Sequence, residues 1–586
     1  MSSRRSFAEL TGSVVAFMGI VKSQTSLETS WDVIVIGSGA AGLSAAVFAA
    51  LEGARVIILE RSHFVGGTSA LSAGSVWIPN TRHAAETGVE DSVEEAGAFL
   101  DAAVGNRSPR SMRDAFLRLG PEAVARLEAE TDIRFRSRPF HPDYLYELAG
   151  SKTAGRAIEA LPFDGGSLRE ALHSVRPPLP EFTVLGGMMV DRDDIAHLLK
   201  LTKSAMSFVY SVGLVGRYAI DRLRFGRGAR MVMGNALVGR LLKSALDLGV
   251  TVAIEAEVTD IAGDPDARTV TLRRNGAEQT LTATGGVILA SGGFARHPQR
   301  RLEFLPDPVP EYTPAAPAGT GTMHDIALKL GAVYGEGAEQ PVFWAPMSRR
   351  RRKDGSMAVF PHFVLDRSKP GIFCVGRDGR RFVNESTSYH KFVIAMYAAN
   401  REGATIPAFE VTDAAGLRKY GLGMIRPGGQ RLAPFLRDGY LTKADTLPDL
   451  ARKLDIDAQG LEETVADMNR YAETGVDEAF QRGSTVYECG NGDPMHKPNP
   501  TLGPTRTPPF YAIKLYPGEI GAAVGLTTDT DARLLDRDGQ VIGGLYACGN
   551  DMQSIMGGVY PGPGINLGPA IAFAYAAGKH AAGRRN

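Results

Sequence analysis

Apolar residues along this chain fall into short unbroken runs and into one longer, irregular stretch. Asp32-Val33-Ile34-Val35-Ile36 and Arg55-Val56-Ile57-Ile58-Leu59 are β-branched runs without alternation, the pattern of parallel strands buried on both faces. The residues between them predict a helix that runs to Glu52. Further on, Val250-Thr251-Val252-Ala253-Ile254 reads as a strand and Gly286-Val287-Ile288-Leu289-Ala290 as another ending in small residues. Gly544-Leu545-Tyr546-Ala547-Cys548-Gly549-Asn550-Asp551 reads as a strand that enters a polar turn. Leu201 to Arg230 differs: apolar residues between Phe208 and Ile220 mix with Lys203, Arg217, Arg222, Arg224, Arg227 and Arg230 without a clean single-face period. Two readings stand for it. One, favoured by the missing period, is a helix packed on a neighbouring domain with a solvated basic face; the other is a peripheral dock on anionic lipid.

With 586 residues and 44% hydrophobic content the chain can bury a large core in two or more domains. The 68 glycines are interspersed with apolar runs, which indicates tight turns and close backbone approaches rather than disorder. Sixty-five basic residues balance 65 acidic ones, so the whole-chain charge gives no reason to expect nucleic acid as a partner. The basic run Arg349-Arg350-Arg351-Arg352-Lys353 has no interleaved aromatics and is read as a solvated loop. Cys374, Cys489 and Cys548 are odd in number and far apart, which supports neither a disulfide framework nor a metal site.

Between the first two predicted strands lies Gly37-Ser38-Gly39-Ala40-Ala41-Gly42. Gly37 allows a tight turn, Gly39 lets the backbone approach a pyrophosphate, and Gly42 lets the helix pack closely on the strand; Ala40 opens the helix whose N-terminus faces the phosphates. Glu60 ends the second strand, where a carboxylate can accept from the hydroxyls of an adenosine ribose. Strand, glycines, helix, strand and acid together predict a dinucleotide site. A second cluster follows, Gly66-Gly67-Thr68-Ser69-Ala70-Leu71-Ser72-Ala73-Gly74, in which Gly67, Thr68, Ser69, Ser72 and Gly74 are placed to contact a pyrophosphate and a flavin. No second complete fingerprint follows a strand, so one FAD is the economical cofactor.

These segments, with Ala290-Ser291-Gly292-Gly293-Phe294, Gly319-Thr320-Gly321, Arg380-Arg381-Phe382-Val383-Asn384-Glu385 and Gly562-Pro563-Gly564-Ile565-Asn566-Leu567-Gly568-Pro569-Ala570, resemble the fumarate reductase and 3-ketosteroid dehydrogenase flavoproteins. The resemblance is greatest to the 3-ketosteroid Δ1-dehydrogenases and runs from Trp31 to about Gly583. It implies non-covalent FAD, with Gly293, Gly549, Asn550, Asn566 and Leu567 completing its contacts. His63 is not expected to carry the flavin, because the linking position of respiratory relatives falls near Thr68.

The resemblance also implies the chemistry. Similar soluble fumarate reductases carry an arginine four residues after the glutamate of the Phe-Val-Asn-Glu run, where this chain has Tyr389. A guanidinium of pKa above about 12 anchors carboxylates, whereas a phenol can take a proton. Tyr389 is therefore expected to abstract the proton beside a ketone, and Tyr560 with the Gly564 N–H to donate to the ketone oxygen. Tyr144 is the better candidate for a further tyrosine lining the pocket, with Tyr146 second, and His390 either orients Tyr389 or faces solvent. Some ketosteroid enzymes have an aromatic where His141 stands, which bears on pocket shape. The expected reaction is desaturation α,β to a ring ketone, with 3-ketosteroid Δ1-dehydrogenation first, a smaller cyclic ketone such as a cyclohexanone second, and fumarate-reductase-like reduction of an enone or dicarboxylate third.

The fold class expected is α/β: a discontinuous Rossmann-like, glutathione-reductase-type FAD-binding domain with an inserted α+β capping and catalytic domain. Its parts are a leader or tether at 1–30, the FAD domain at 31–318 with a helical insertion around 187–232, the capping domain at 319–511, and the returning FAD domain at 512–586. Ser3-Arg4-Arg5-Ser6-Phe7 resembles a twin-arginine export motif, so export stands as an alternative to a cytoplasmic protein with peripheral membrane contact. An electron acceptor, whether quinone, oxygen or another carrier, is the remaining partner.

Overall fold

The computed structural model describes residues 19–21, 26–364 and 366–584; the leader motif at 3–7 lies outside them. A nine-stranded sheet carries the nucleotide-binding half. Its parallel strands run in the order Ile20–Val21, Thr251–Ile254, Val56–Glu60, Ser30–Ile36 and Ala277–Leu289, and Val541–Ala547 pairs in parallel with the last of these. Glu257–Asp264 and Ala267–Arg274 continue it as an antiparallel meander. The predicted strand at 286–290 is thus the end of a longer strand, whose first half pairs with Ala267–Arg274.

The helix Ala40–Leu51 reads Ala-Ala-Gly-Leu-Ser-Ala-Ala-Val-Phe-Ala-Ala-Leu and is buried along nearly its whole length. Small side chains let it lie against the C-terminal helix Leu567–Gly583: a Cβ on Gly578 would stand 2.6 Å from the Ala45 carbonyl oxygen. Both helices begin at the same edge of the sheet, beyond the carboxyl ends of the parallel strands, the position where open α/β sheets hold ligands.

A second sheet is antiparallel throughout, in the order Met357–Pro361, Val342–Arg351, Phe510–Ala522, Ala408–Asp413 and Ile372–Val375, with Thr442–Ala444 also on Phe510–Ala522. The boundary drawn at 511/512 falls inside Phe510–Ala522, which pairs within this sheet along its length before the chain returns to the first one.

Two surface expectations are corrected. The arginine run at 349–352 is no free loop: Arg349 to Arg351 lie in the strand Val342–Arg351. Arg349 pairs with Glu311 and stacks over Tyr516 at 3.6 Å, Arg350 pairs with Asp438, and Arg352 with Glu181. Around 187–232 the chain forms helices Arg192–Leu199 and Ala205–Phe225. The second buries only Ser207, Ser211, Leu214 and Asp221, with Leu214 packed on Met188 and Val190, and leaves Met206, Phe208, Val209, Val212, Ile220 and Leu223 exposed, so most of its apolar residues are not packed on a neighbouring domain. Among the described residues no helix is long and apolar enough to cross a membrane.

Candidate active site

Tyr389 is the first residue of the helix Tyr389–Ala399, whose N-cap Ser388 accepts from the Lys391 N–H at 3.3 Å. The turn before it is clamped. Glu385, fully buried, receives Arg381 at 2.7 Å, Arg482 at 3.2 Å and the Cys374 N–H at 3.1 Å, and Arg381 also holds Asp477 at 2.7 Å. Burial raises the Glu385 carboxyl, and the two guanidiniums outweigh it and hold it below its ordinary value. Removing one partner of such a buried pair costs about 3–5 kcal/mol, because the other charge is stranded. The Arg-Phe-Val-Asn-Glu run thus fixes the helix start and with it the Tyr389 phenol.

Tyr144 arrives from a different segment. Its hydroxyl lies 3.2 Å from that of Tyr389, and its N–H donates to the Pro561 carbonyl at 2.7 Å. Neighbouring Asp143 is locked by the Trp77 indole N–H at 2.8 Å and by Arg156 at 2.9 Å, with Arg156 also on Asp91. Among the described residues Tyr146 makes no ring contact of this kind. The Tyr560 ring stacks on Tyr144, centroids 5.6 Å apart at 13°, and stands edge-on to Tyr389 at 5.1 Å. Burial first, then the phenols of Tyr144 and Tyr560, push Tyr389 well above the ordinary tyrosine value. Burial pushes Tyr144 up to about 12 against the opposing hydrogen bond from Tyr389.

Gly564 sits at φ +96°, and a Cβ there would stand 2.4 Å from the Ser75 carbonyl oxygen, so only glycine fits. Its carbonyl accepts from Trp77 and Gly568, while its N–H has no protein partner among the described residues. His390 does not face solvent. It is buried, accepts the Trp344 N–H on Nδ1 at 3.1 Å and donates from Nε2 to the Gly558 carbonyl at 3.1 Å, tying the Tyr389 helix to the Tyr560 loop. Burial lowers it to about 4, so it is the neutral tautomer that makes both bonds.

Several residues packed against the three tyrosines gave no sequence signal. Tyr487 packs on Tyr144 at 5.1 Å, and its buried hydroxyl has no hydrogen-bond partner among the described residues. Phe363 contacts Tyr389 and Phe343 contacts Tyr560, both edge-on. Behind Phe363, His362 lies 2.7 Å from Asp366 and 3.2 Å from Glu410, and its other nitrogen 2.7 Å from Ser348. Burial would lower His362, but the two carboxylates raise it to about 9, so the trio reads as an imidazolium held between acids.

The expected cofactor residues gather in two places. At one end, Gly37 has φ +104° and no room for a side chain, and Gly42 stands where a Cβ would lie 1.9 Å from the Gly37 carbonyl oxygen. Gly39 caps the helix Ala40–Leu51, Ser69 Oγ accepts the Ala40 N–H at 3.0 Å, and Gly67 approaches Gly39. Glu60 is buried and its carboxylate already receives the Ser38 hydroxyl at 2.5 Å and the Ser62 N–H at 2.8 Å, so any ribose hydroxyl adds to these bonds. Thr68 receives the Ala316 N–H at 3.0 Å, and Ser72 bridges the Ser69 carbonyl and the Gly74 N–H. Gly293 donates to buried Asp551, which also holds Ser291.

Adjoining these, with Gly549 against Ala41 and the Asn550 carbonyl oxygen against Gly293, a cavity is lined by Gly549, Asn550 and Asn566, just before Leu567 opens the last helix. A glycine cradle at one helix N-terminus and a cavity at another suit a long dianionic dinucleotide. The residues fit FAD.

The FAD binding domain family matches the chain over residues 32–567. The 4-oxocyclohex-2-ene-1-carboxylate 5-dehydrogenase of Sinomonas cyclohexanicum is 36% identical over 555 residues, 94% of this chain and 93% of that protein. A 3-oxosteroid 1-dehydrogenase of Mycolicibacterium smegmatis is 34% identical over 561 residues, 93% of this chain and 96% of its own length. The crystal structure of 3-ketosteroid Δ1-dehydrogenase from Sterolibacterium denitrificans, in complex with 1,4-androstadiene-3,17-dione, superposes with a TM-score of 0.88 at 32% identity and covers 95% of this chain and 100% of that one.

Proposed function

We propose that this chain, which belongs to the FAD binding domain family and within it to the 3-ketosteroid Δ1-dehydrogenase group of flavoproteins, desaturates a ring ketone between the carbons α and β to its carbonyl. It is an FAD-dependent oxidoreductase acting on a CH–CH bond. The observation that carries the proposed mechanism is the tyrosine cluster: the buried Tyr389 phenol lies 3.2 Å from that of Tyr144 and against the Tyr560 ring.

In this mechanism the Tyr560 hydroxyl and the unpartnered Gly564 N–H donate to the ketone oxygen. Charge that develops there as the adjacent proton leaves meets two donors fixed in a dry site, which is where such donors act most strongly. Tyr389 takes the α-proton, and Tyr144 steadies the phenolate through the shared hydrogen bond. The β-hydrogen would leave as hydride, for which bound FAD would supply the acceptor. Gly37, Gly39, Gly42, Gly67 and Ser69 would hold its pyrophosphate, Glu60 its ribose, and Gly549, Asn550, Asn566 and Leu567 its flavin end.

The ring belongs either to a 3-ketosteroid, which becomes a 1-ene-3-ketone, or to a smaller cyclic ketone. The relatives named above include one enzyme of each kind. Reduction of a dicarboxylate is disfavoured by Tyr389 standing where that chemistry uses an arginine. Quinone, oxygen and another carrier are all chemically competent to reoxidise the flavin. The exposed apolar residues of the helix Ala205–Phe225, with Arg222 and Arg224 at its end, support peripheral lipid contact.

Anaerobic mixing with a panel of steroid and monocyclic ketones tests the reading. Bleaching of the flavin by at least one ring ketone, with an equivalent of enone formed, is the expected result; fumarate consumption by the reduced protein with no response to any ketone would reject it. Tyr560→Phe removes one of the two oxygen donors, and the bleaching rate is expected to fall about 10²–10³-fold. A rate equal to that of the unaltered protein would mean that the carbonyl lies elsewhere.

A further inference from the structure

Resting on the ring-ketone reading and going further into how its site is held in register, we infer that His390 is a positioning residue, which sets the Tyr560 hydroxyl relative to the Tyr389 phenol and acts on the ketone only through them. The two tyrosines need such a link. Tyr389 opens the helix Tyr389–Ala399, whereas Tyr560 stands between the strand Val541–Ala547 and the last helix. Proton removal and charge stabilisation nevertheless have to reach neighbouring atoms of one ketone.

The Tyr560 loop hangs from two carbonyls. Gly558, two residues before Tyr560, accepts from His390 Nε2 at 3.1 Å, and Pro561, the residue after it, accepts from the Tyr144 N–H at 2.7 Å. Both donors lie next to the base: His390 follows Tyr389 on its helix, and the Tyr144 hydroxyl is 3.2 Å from that of Tyr389. The loop is also fixed to the segment that leads into the strand Val342–Arg351. The Glu339 N–H donates to the Gly557 carbonyl at 2.8 Å, and Gly558, at φ +76°, lies so close to Gln340 that a Cβ would stand 2.3 Å from its carbonyl oxygen. His390 joins the Tyr389 helix to both.

The other end of the imidazole uses an irregularity in the sheet. Between Phe343 and Trp344 the pairing of Val342–Arg351 with Phe510–Ala522 shifts register, and the Trp344 N–H at that point donates to His390 Nδ1 at 3.1 Å. Phe343, on the other side of the shift, stands edge-on to Tyr560 with centroids 5.3 Å apart. The His390 ring lies 6.0 Å from Phe343 and 5.8 Å from Tyr560. Bulges recur beside active sites because they re-aim a side chain. This one presents Phe343 to the donor tyrosine and offers His390 an N–H.

The bridge needs an acceptor at one end of a short rigid group and a donor at the other, which a neutral imidazole supplies and an apolar side chain does not. His390 is buried and spends both nitrogens on backbone groups, so neither is left to carry a proton to or from a substrate. That arrangement fits a strut and not a second base.

The test follows single-turnover flavin bleaching by the faster of 4-androstene-3,17-dione and cyclohexanone in FAD-loaded His390→Leu, His390→Gln and His390→Asn. His390→Leu is expected to lower the limiting bleaching rate about 10- to 100-fold, the scale of a misplacement of about 1 Å at the reacting groups, with the half-saturating ketone concentration little changed. In His390→Gln the amide can accept at one end and donate at the other, and most of the rate should return; the shorter His390→Asn should not restore it. A Tyr560→Phe background supplies the reading that a general loss of structure would not move. Because His390 works through the Tyr560 hydroxyl, His390→Leu should cost far less there than on its own.

An unaltered bleaching rate in His390→Leu, a fall of equal size in both backgrounds, or a His390→Gln no faster than His390→Asn overturns the assignment. Where His390→Leu fails to fold, the Gln and Asn variants in the two backgrounds decide it by the same comparison. If the unaltered protein is bleached by no ring ketone, the desaturation reading fails and this inference with it. If it is bleached and all three His390 variants bleach as fast, that reading stands and only the positioning role falls.

Discussion

Tyr389→Phe is expected to lower ketone-driven flavin bleaching about 10²–10⁴-fold, the range for loss of a positioned base, while the protein stays yellow. The ring fills the same space against Phe363, Tyr144 and Tyr560, so packing survives and only the hydroxyl is lost. Flavin content and thermal unfolding should therefore match the unaltered protein, which separates a chemical role from a structural one. The pH dependence follows from the same group. Burial and then the Tyr144 and Tyr560 phenols hold Tyr389 protonated in the resting site, well above its ordinary value. Its base form grows as pH rises, so kcat/KM should climb from neutral toward alkaline pH, and the residual rate of Tyr389→Phe should lose that slope. Near-normal bleaching in the variant, or a flat profile in the unaltered protein, would remove Tyr389 from the reaction.

Gly39→Val should fold and be colourless. A Cβ at Gly39 meets only Ser69 Oγ, at 3.6 Å, and the backbone there lies at φ −67°, open to any residue. The protein thus has room for the side chain, whereas a pyrophosphate approaching the helix N-terminus does not. The contrast with its neighbours makes the test specific. A side chain at Gly42 would run into the Gly37 carbonyl and damage the fold itself. Purified Gly39→Val with normal secondary structure and no visible flavin absorbance is the expected outcome; a yellow, active variant would show that the backbone there does not approach the cofactor.

Legibility in the sequence followed how local each constraint is. The fingerprint glycines could be read because a turn at φ +104° and a helix packed on a carbonyl demand glycine whatever surrounds them. Tyr389 and Tyr560 stood out as candidates because Tyr389 follows, and Tyr560 precedes, a run whose own residues fix the backbone. Tyr487, Phe343 and Phe363 did not, since an aromatic that packs against a site tyrosine looks the same in sequence as one that fills a core. The helix Ala205–Phe225 was misjudged for the opposite reason. The missing single-face period favoured a helix packed on a neighbouring domain with a solvated basic face, yet most of its large apolar side chains are exposed.

The ion cluster of Arg381, Glu385, Arg482 and Asp477 has an evolutionary corollary. Because it secures the peptide ahead of position 389 without help from the side chain at 389, that side chain is at liberty to vary. Descendants of one ancestor could trade a proton acceptor for a permanent cation there and inherit a different metabolism with the architecture untouched.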